Sequence, residues 1–139
     1  MGLGIHLGAV YFVIILKGEI VKFSQSIVIK RLQQAQNVHD LEAFLACFTP
    51  NFQGEQPAHP EKAVHGVEDV RKNWSAMFHD IPDFHSELLR SAVEGNTAWA
   101  EWYWFGTHRD GTRFRMRGAT ILGIQADQIE WARLYMEPM

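Results

Sequence analysis

The segment 97–134 constrains the fold most, because it holds long β-rich runs separated by turn signals. The first two runs flank Arg109-Asp110-Gly111, and a further turn near Ala126-Asp127 leads into a run that reaches Met136. Asp-Gly between two such runs is a strong hairpin signal, since glycine accepts the positive φ that tight turns require. The pattern therefore predicts a three-stranded antiparallel meander.

Length, charge and cysteine content narrow the class of protein. The 139 residues suit a single domain with its own core. A net charge of −3 without a basic run disfavours a nucleic-acid partner, because such binding depends on neutralising phosphates. The single cysteine, Cys47, allows no internal disulfide and favours a reducing compartment, so we expect a cytoplasmic protein. Neither metal-ligand spacing nor a nucleotide-binding fingerprint is present, so we expect no metal and no cofactor.

Residues 1–25 form an N-terminal extension to the helical part of the chain. The run Leu3–Leu16 is apolar but shorter than the roughly 20 residues that a membrane helix needs. A signal peptide carries a positive charge before its apolar run, and this chain has none there. We therefore expect no membrane partner. Lys17-Gly18-Glu19 could turn the run into an accessory hairpin, whereas a disordered extension or an over-extended start are the alternatives.

Helical signals dominate residues 26–80. Apolar spacing predicts a first helix from Ser26 to Gln36, which Asn37-Val38-His39 then breaks. Asp40 is the expected N-cap of a second helix that ends before Thr49-Pro50. A third, amphipathic helix is predicted from Val67 to Asp80. Further strands are predicted over Asn51–Gln56 and Phe84–Val93. Helices followed by an antiparallel sheet indicate a two-layer α+β domain.

Alternation along the meander divides its side chains into two sets. One set is nearly all apolar and includes Met116 and Leu134, so we expect the helices to cover it. The other set carries a row of arginines that Glu101 could meet across the ladder. A register displaced by one residue would exchange the faces and bring Glu101 and Arg117 inside as a charged pocket, so that alternative stays open.

The first strand of the meander is apolar on both faces and therefore needs a second cover. Another copy of the chain is the simplest one, so we predict a homodimer; the alternative is that aromatic side chains cap a solvated sheet. The predicted interface residues are Tyr103, Phe105, Arg115, Arg117, Trp131, Arg133 and Tyr135.

Several motifs, taken in order, resemble the SnoaL-like branch of the nuclear transport factor 2-like superfamily. They are the run from Asn37 to Pro50, His65-Gly66, Glu101-Trp102, Gly106-Thr107-His108, Arg117-Gly118 and Tyr135. The resemblance covers Ile27 to Pro138 and assigns residues 26–139 to a SnoaL-like domain. It implies a cone in which three or so N-terminal helices pack on a strongly curved antiparallel sheet, with a pocket between them and a dimer through the outer face.

The resemblance also identifies the positions at which relatives carry catalytic groups. Ketosteroid isomerases use an Asp base where this chain has Gln56, and a Tyr and a protonated Asp where it has Leu32 and Thr120. SnoaL-type cyclases use an Asp near Thr120, and limonene-type epoxide hydrolases use an Asp at Leu134. Since none of these four side chains can exchange a proton in general acid–base catalysis, all three chemistries are disfavoured.

The expected pocket has apolar walls with few polar groups, as small-molecule sites usually do. Its predicted residues are Phe52, Gln56, Trp74, Phe78, Trp102, Trp104, Met116, Thr120, Leu134 and Met136. For Phe44, Phe48 and Met116, a role in the core is favoured over a role in the pocket. The leading hypothesis is a protein that binds a small hydrophobic molecule. One alternative is an isomerase or polyketide-cyclase-like enzyme with His65 or Glu101 as acid/base, and another is a structural dimerisation module whose cone is filled.

Overall fold

The computed structural model describes residues 25–139, and helix α1 occupies positions 25–38 of this part. The other helices are α2 (Leu41–Leu45) and α3 (Val67–Asp80), and a short 3-10 turn spans Pro60–Lys62. The six strands are β1 (Phe48–Glu55), β2 (Val64–His65), β3 (His85–Glu94), β4 (Thr97–Thr107), β5 (Arg113–Gln125) and β6 (Gln128–Pro138). Within residues 25–139 no helix combines the length and apolarity needed to cross a membrane. The expected N-terminal hairpin lies outside the described residues.

The predicted α+β architecture is confirmed: three helices pack on one curved, open six-stranded sheet. The strand order is β2-β1-β6-β5-β4-β3, and β4, β5 and β6 are the antiparallel meander that the sequence predicts. The β4–β5 ladder runs without a break from Thr97 opposite Gly123 to Thr107 opposite Arg113. Strand β1 joins β6 in parallel and places the segment after α2 beside the end of the chain.

The two hairpin turns lie where their sequence signals predict them. In the first, His108 donates its backbone N–H to the carbonyl oxygen of Thr112 at 2.9 Å, and Gly111 has φ +89°. In the second, Ala126 and Asp127 both have positive φ, +48° and +63°. Positive φ at both central residues matches the right-handed twist of the strands that such a two-residue turn connects.

Helix α1 runs two residues beyond the predicted end at Gln36 and stops at 38. His39 then adopts a left-handed conformation, with φ +57°. The backbone N–H groups of His39 and Asp40 donate to the carbonyls of Gln36 and Ala35, at 3.3 and 3.0 Å. This pair of bonds is the Schellman pattern that closes many helices. The helix therefore ends within the predicted break, Asn37-Val38-His39, at its last residue.

Asp40 caps α2 as expected, because its carboxylate accepts the backbone N–H of Ala43 at 3.0 Å. However, α2 ends at Leu45, and Thr49-Pro50 lies inside β1 rather than after a helix. Proline has no N–H to give a sheet, yet it is tolerated here because the β1–β6 pairing is irregular between Phe48 and Gln53. The predicted helix is thus too long, and the strand begins at Phe48 instead of Asn51.

Side chains alternate along the meander as predicted. On β4, Ala98, Ala100, Trp102 and Trp104 are buried toward the helices, whereas the residues between them face the other way. Glu101 lies on this outer face, where its Oε2 is 3.2 Å from Nε of Arg90. The alternative register, with Glu101 and Arg117 inside the cone, is not the one observed.

Gly118 marks a close approach of two backbones. A Cβ added there would lie 1.9 Å from the carbonyl oxygen of Tyr135 on the neighbouring strand β6. Because the clash is with backbone, no side-chain rotation relieves it. We predict that Gly118→Ala lowers the free energy of unfolding by about 2–4 kcal/mol, measured by urea denaturation.

Gly95 supplies the control for that substitution. It has φ +58°, but nothing lies within 4 Å of an added Cβ, and asparagine tolerates this conformation. Gly95→Asn should therefore change the free energy of unfolding by less than about 1 kcal/mol. Equal losses in the two variants would mean that the close approach at Gly118 is not what constrains the sheet.

Candidate functional site

A cavity of about 410 Å³ lies between the inner face of the sheet and the three helices. Its volume falls within the roughly 300–1,000 Å³ of small-molecule sites. The sheet contributes Trp102, Trp104, Met116, Thr120, Leu122, Ala132, Leu134 and Met136 to the wall. The helices and β1 contribute Leu32, Gln36, Phe44, Phe48, Phe52, Val70, Trp74 and Met77. Phe44 and Phe48, predicted as core, thus belong to the wall as well.

Trp74 on α3 is the centre of an aromatic cluster beside this cavity. Its ring centroid lies 4.4 Å from that of Phe44, 5.5 Å from that of Trp104 and 5.5 Å from that of Phe84. The contacts with Trp104 and Phe84 are edge-to-face, a geometry that adds to the energy of burial. The cluster therefore fixes α3 over the sheet and holds one wall of the cavity in place.

Phe78 is the one predicted pocket residue that does not line the cavity. It lies one helical turn after Trp74, where its ring stacks on His39 at 4.8 Å and meets Phe84 edge-on at 6.2 Å. The side chain therefore packs α3 against the turn that follows α1, behind the cavity wall. Helical spacing placed it on the correct face of α3 but could not show which turn reaches the cavity.

Four buried side chains of the wall, Gln36, Trp102, Trp104 and Thr120, carry uncharged polar atoms. Trp102 donates its indole Nε1–H to Oγ1 of Thr120 at 2.9 Å, and both residues are buried. The side-chain oxygen of Gln36 and Nε1 of Trp104 are buried without a hydrogen-bond partner among residues 25–139. Gln36 is not among the predicted pocket residues, although a glutamine four residues after Leu32 on the apolar side of α1 is a signal for it.

Charged side chains meet the cavity only at exposed positions. In the described part of the chain, the charged residues that line it are Glu55 and Lys62, and both are exposed. Glu55 lies 3.7 Å from Nε of Arg133, a surface pair. These exposed residues mark the opening, beside Gln56, and the buried wall between the helices and the sheet carries no titratable group.

The four positions that the resemblance associates with catalysis all lie on the cavity wall. Leu32, Gln56, Thr120 and Leu134 come from α1, the loop after β1, β5 and β6 respectively. Their convergence supports the alignment made from sequence motifs. None of the four can act as an acid or base near neutral pH.

His65 and Glu101, the candidate acid/base residues, do not line the cavity. His65 is exposed on β2, and its Nδ1 lies 2.7 Å from Oε1 of Gln53. The backbone N–H of His65 donates to Asp69 at 3.0 Å, at the start of α3. Glu101 faces away from the helices, beside Arg90. Among residues 25–139 no three His, Cys, Asp or Glu side chains converge as metal ligands would.

Cys47 is fully buried next to α2, and its thiol contacts the carbonyl oxygen of Ala43 at 3.6 Å. Burial raises the pKa of this thiol, and the nearby Arg31 opposes the rise only partly. Because the thiolate is the nucleophilic form, a raised pKa leaves Cys47 unreactive near neutrality.

The predicted interface residues all lie on the outer face of the sheet. Tyr103 and Phe105 stack on each other at 5.0 Å, and Tyr135 is 40% exposed. Trp99, also 40% exposed, extends this aromatic surface. No element of the described chain covers it. A depression of about 250 Å³ beside Trp131 and Arg133 lies on the same face.

The Trp102–Thr120 hydrogen bond gives a stability prediction. Thr120→Val preserves the shape of the side chain but leaves the buried indole N–H of Trp102 without an acceptor. We expect the free energy of unfolding to fall by about 1–3 kcal/mol in urea denaturation. Thr120→Ser retains the acceptor and should be the more stable variant. If valine is tolerated better than serine, the hydrogen bond contributes little.

Known sequences and structures include proteins that are similar to this chain. The profile of the SnoaL-like domain family matches residues 29–132. A protein from Jannaschia sp. CCS1, assigned as a SnoaL-like polyketide cyclase, superposes with a TM-score of 0.73 at 16% identity, over 84% of this chain and 88% of that one. An LEH-like epoxide hydrolase of M. tuberculosis gives 0.73 at 12% identity, over 84% of each chain. Such low identities show a shared fold alone.

A further similar structure is a protein of Catenulispora acidiphila DSM 44928 that has a ketosteroid isomerase-like fold and was solved in complex with trimethylamine. It superposes with a TM-score of 0.65 at 15% identity, over 76% of this chain and 82% of that one. No curated protein matches the sequence.

Proposed function

The chain belongs to the SnoaL-like domain family, and from this premise we propose that it binds a small hydrophobic molecule in the cavity between helices and sheet. Proteins with one fold have many different functions, so the function has to be inferred from the site. The observation that carries the proposal is a cavity of ligand size whose buried wall is apolar, aromatic and free of titratable groups.

The energetics of such a cavity favour apolar ligands. A molecule that buries ~200 Å² of apolar surface gains about 5 kcal/mol from leaving water. Part of this gain is offset by the loss of translational and rotational freedom on association. Because micromolar affinity corresponds to about 8 kcal/mol, apolar burial of this size does not reach it alone, and a tightly bound ligand must also use the polar groups of the wall.

The enzymatic alternative has less support. General acid–base catalysis requires a titratable group within hydrogen-bond reach of the substrate, yet His65 and Glu101 lie outside the cavity. The positions that carry such groups in relatives hold Leu32, Gln56 and other side chains that do not titrate near neutral pH. A structural module with a filled cone is also disfavoured, since it would not leave a cavity of about 410 Å³.

Binding can be tested with N-phenyl-1-naphthylamine, an uncharged dye whose fluorescence rises in apolar surroundings. We expect saturable binding to the parent protein. Ala132→Phe places a ring into the cavity from β6, so the dissociation constant should rise by roughly tenfold or more.

Ala92→Phe is the matched control, because Ala92 is exposed on β3 and does not line the cavity. It should bind the dye like the parent protein. Circular dichroism and thermal unfolding establish that both variants fold. Absence of saturable binding, or an equal loss in the two variants, would contradict the assignment of the cavity as the ligand site.

We also propose that a second copy of the chain covers the outer face of the sheet. Tyr135 and Trp99 are each 40% exposed there, and Tyr103 and Phe105 are only partly covered. An exposed aromatic patch of this kind is typical of an interaction surface. A two-fold dimer would pair the patch with itself and bring the arginines of one copy near Glu101 of the other.

Sedimentation equilibrium tests this dimer. We expect twice the 16.0 kDa chain mass at micromolar concentration. Tyr135→Glu places a charge in the patch and should yield monomer, because an unpaired buried charge is costly. Val38→Glu changes an exposed apolar residue of α1, 59% exposed and remote from the patch, and should leave the dimer intact. A parent protein of single-chain mass would refute the proposal.

A further inference from the structure

We propose that the molecule bound in the cavity is uncharged and carries a hydroxyl group, which Gln36, Trp104 and Thr120 recognise. This inference rests on the binding function proposed above and specifies its ligand class. It starts from buried polar groups that the protein itself leaves without partners.

Gln36 supplies an unused acceptor. Its side chain is 1% exposed and lines the cavity, and its carbonyl oxygen has no hydrogen-bond partner within residues 25–139. Neighbouring amides on α1 have structural roles instead: Gln33 and Asn37 both donate to the carbonyl oxygen of Ser86 at 3.0 Å. A buried carbonyl without a partner destabilises a fold, so its retention in the cavity wall suits a group supplied by a ligand.

Trp104 supplies an unused donor. Trp102 and Trp104 lie two residues apart on β4 and both point toward the helices. The indole N–H of Trp102 is satisfied by Thr120, whereas that of Trp104, only 5% exposed, has no acceptor in the described chain. Indole N–H groups usually find a partner when buried. Trp104 lines the cavity, so the unpaired donor belongs to a residue of its wall.

Thr120 supplies a second donor. Its oxygen accepts from Trp102 at 2.9 Å, so its own hydroxyl hydrogen can be donated to another acceptor. Thr120 lines the cavity, and the bond from Trp102 limits the directions in which that hydrogen can point. A ligand oxygen can therefore meet a pre-oriented donor on β5.

The combination of donors and an acceptor selects a hydroxyl group. An ether or a carbonyl could accept from Trp104 or Thr120 but would leave the oxygen of Gln36 unpaired. A hydroxyl both donates and accepts, so it can serve either kind of group. An ionised ligand is disfavoured, because the charged residues of the wall, Glu55 and Lys62, are exposed at the opening and leave a buried charge uncompensated.

Three probes with one ring system test the inference by equilibrium dialysis: naphthalene, 2-methoxynaphthalene and 2-naphthol. The first has no polar group, the second only accepts, and the third also donates. On the parent protein we expect 2-naphthol to bind about tenfold more tightly than naphthalene, with 2-methoxynaphthalene between them.

Gln36→Leu removes the acceptor and keeps the size of the side chain. The advantage of 2-naphthol over 2-methoxynaphthalene should then fall to within about twofold, while naphthalene binds no more weakly than before. The melting temperature of the unliganded variant should rise, since a buried unpaired carbonyl is gone. Gln34→Leu, the same change at an exposed position of α1, should reproduce the parent pattern.

Trp104→Phe gives an independent test, because it removes the N–H and keeps an aromatic ring. The advantage of 2-methoxynaphthalene over naphthalene should diminish. If no probe binds the folded parent protein, the proposed binding function fails and this inference with it. If all three probes bind equally to the parent protein, or Gln36→Leu keeps the full preference for 2-naphthol, binding stands and the inferred polar recognition is wrong.

Discussion

Alternation of side chains across the ladders of β4, β5 and β6, interrupted by a register shift between Gly123 and Ile124, is the constraint on which the remainder of the structure depends. Trp104 lies opposite Met116, and Thr120 opposite Leu134, so the inner face is apolar from strand to strand. The same ladders place Tyr103 opposite Arg117 on the outer face. A slip of one residue would exchange these faces and bury arginines beneath the helices, at a cost of several kcal/mol each.

The sheet could be predicted from the sequence because its signals are local. Asp110-Gly111 and Ala126-Asp127 fix where the strands turn, and alternation within each strand fixes its faces. The same holds for α3, whose predicted bounds match the structure. These features depend on neighbours a few residues apart, which a single sequence displays directly.

The predictions that differ from the structure concern element boundaries that tertiary contacts determine. The end of α1 is set by His39 in a left-handed conformation, in which a residue other than glycine is uncommon. The exit from α2 depends on β6, since the N–H of Ile129 donates to the carbonyl oxygen of Cys47 at 2.7 Å and draws this segment into the sheet. The short strand β2 likewise exists because it pairs with β1. No local sequence pattern indicates these strand pairings.

The candidate site divides in the same way. Its sheet half was predictable, since strand alternation places Trp102, Trp104, Thr120 and Leu134 on one face. The helical residues of the site could be predicted only in part, because packing determines which turn of a helix reaches the cavity. Trp74 lines the cavity, whereas Phe78, one turn later on the same helix, does not. Gln36 was not predicted, because one polar residue on an apolar helix face does not by itself indicate a binding site.

Two faces of one sheet thus have distinct proposed uses: the inner one lines a cavity for which we propose a ligand, and the outer one is the surface at which we propose a second copy of the chain. The side-chain resonances of the five tryptophans report on both faces at once in a ¹H–¹⁵N spectrum. On titration with N-phenyl-1-naphthylamine, the indole signals of Trp74, Trp102 and Trp104 should shift while those of Trp99 and Trp131 stay in place. Shifts confined to Trp99 and Trp131 would put the ligand on the outer face and contradict the account.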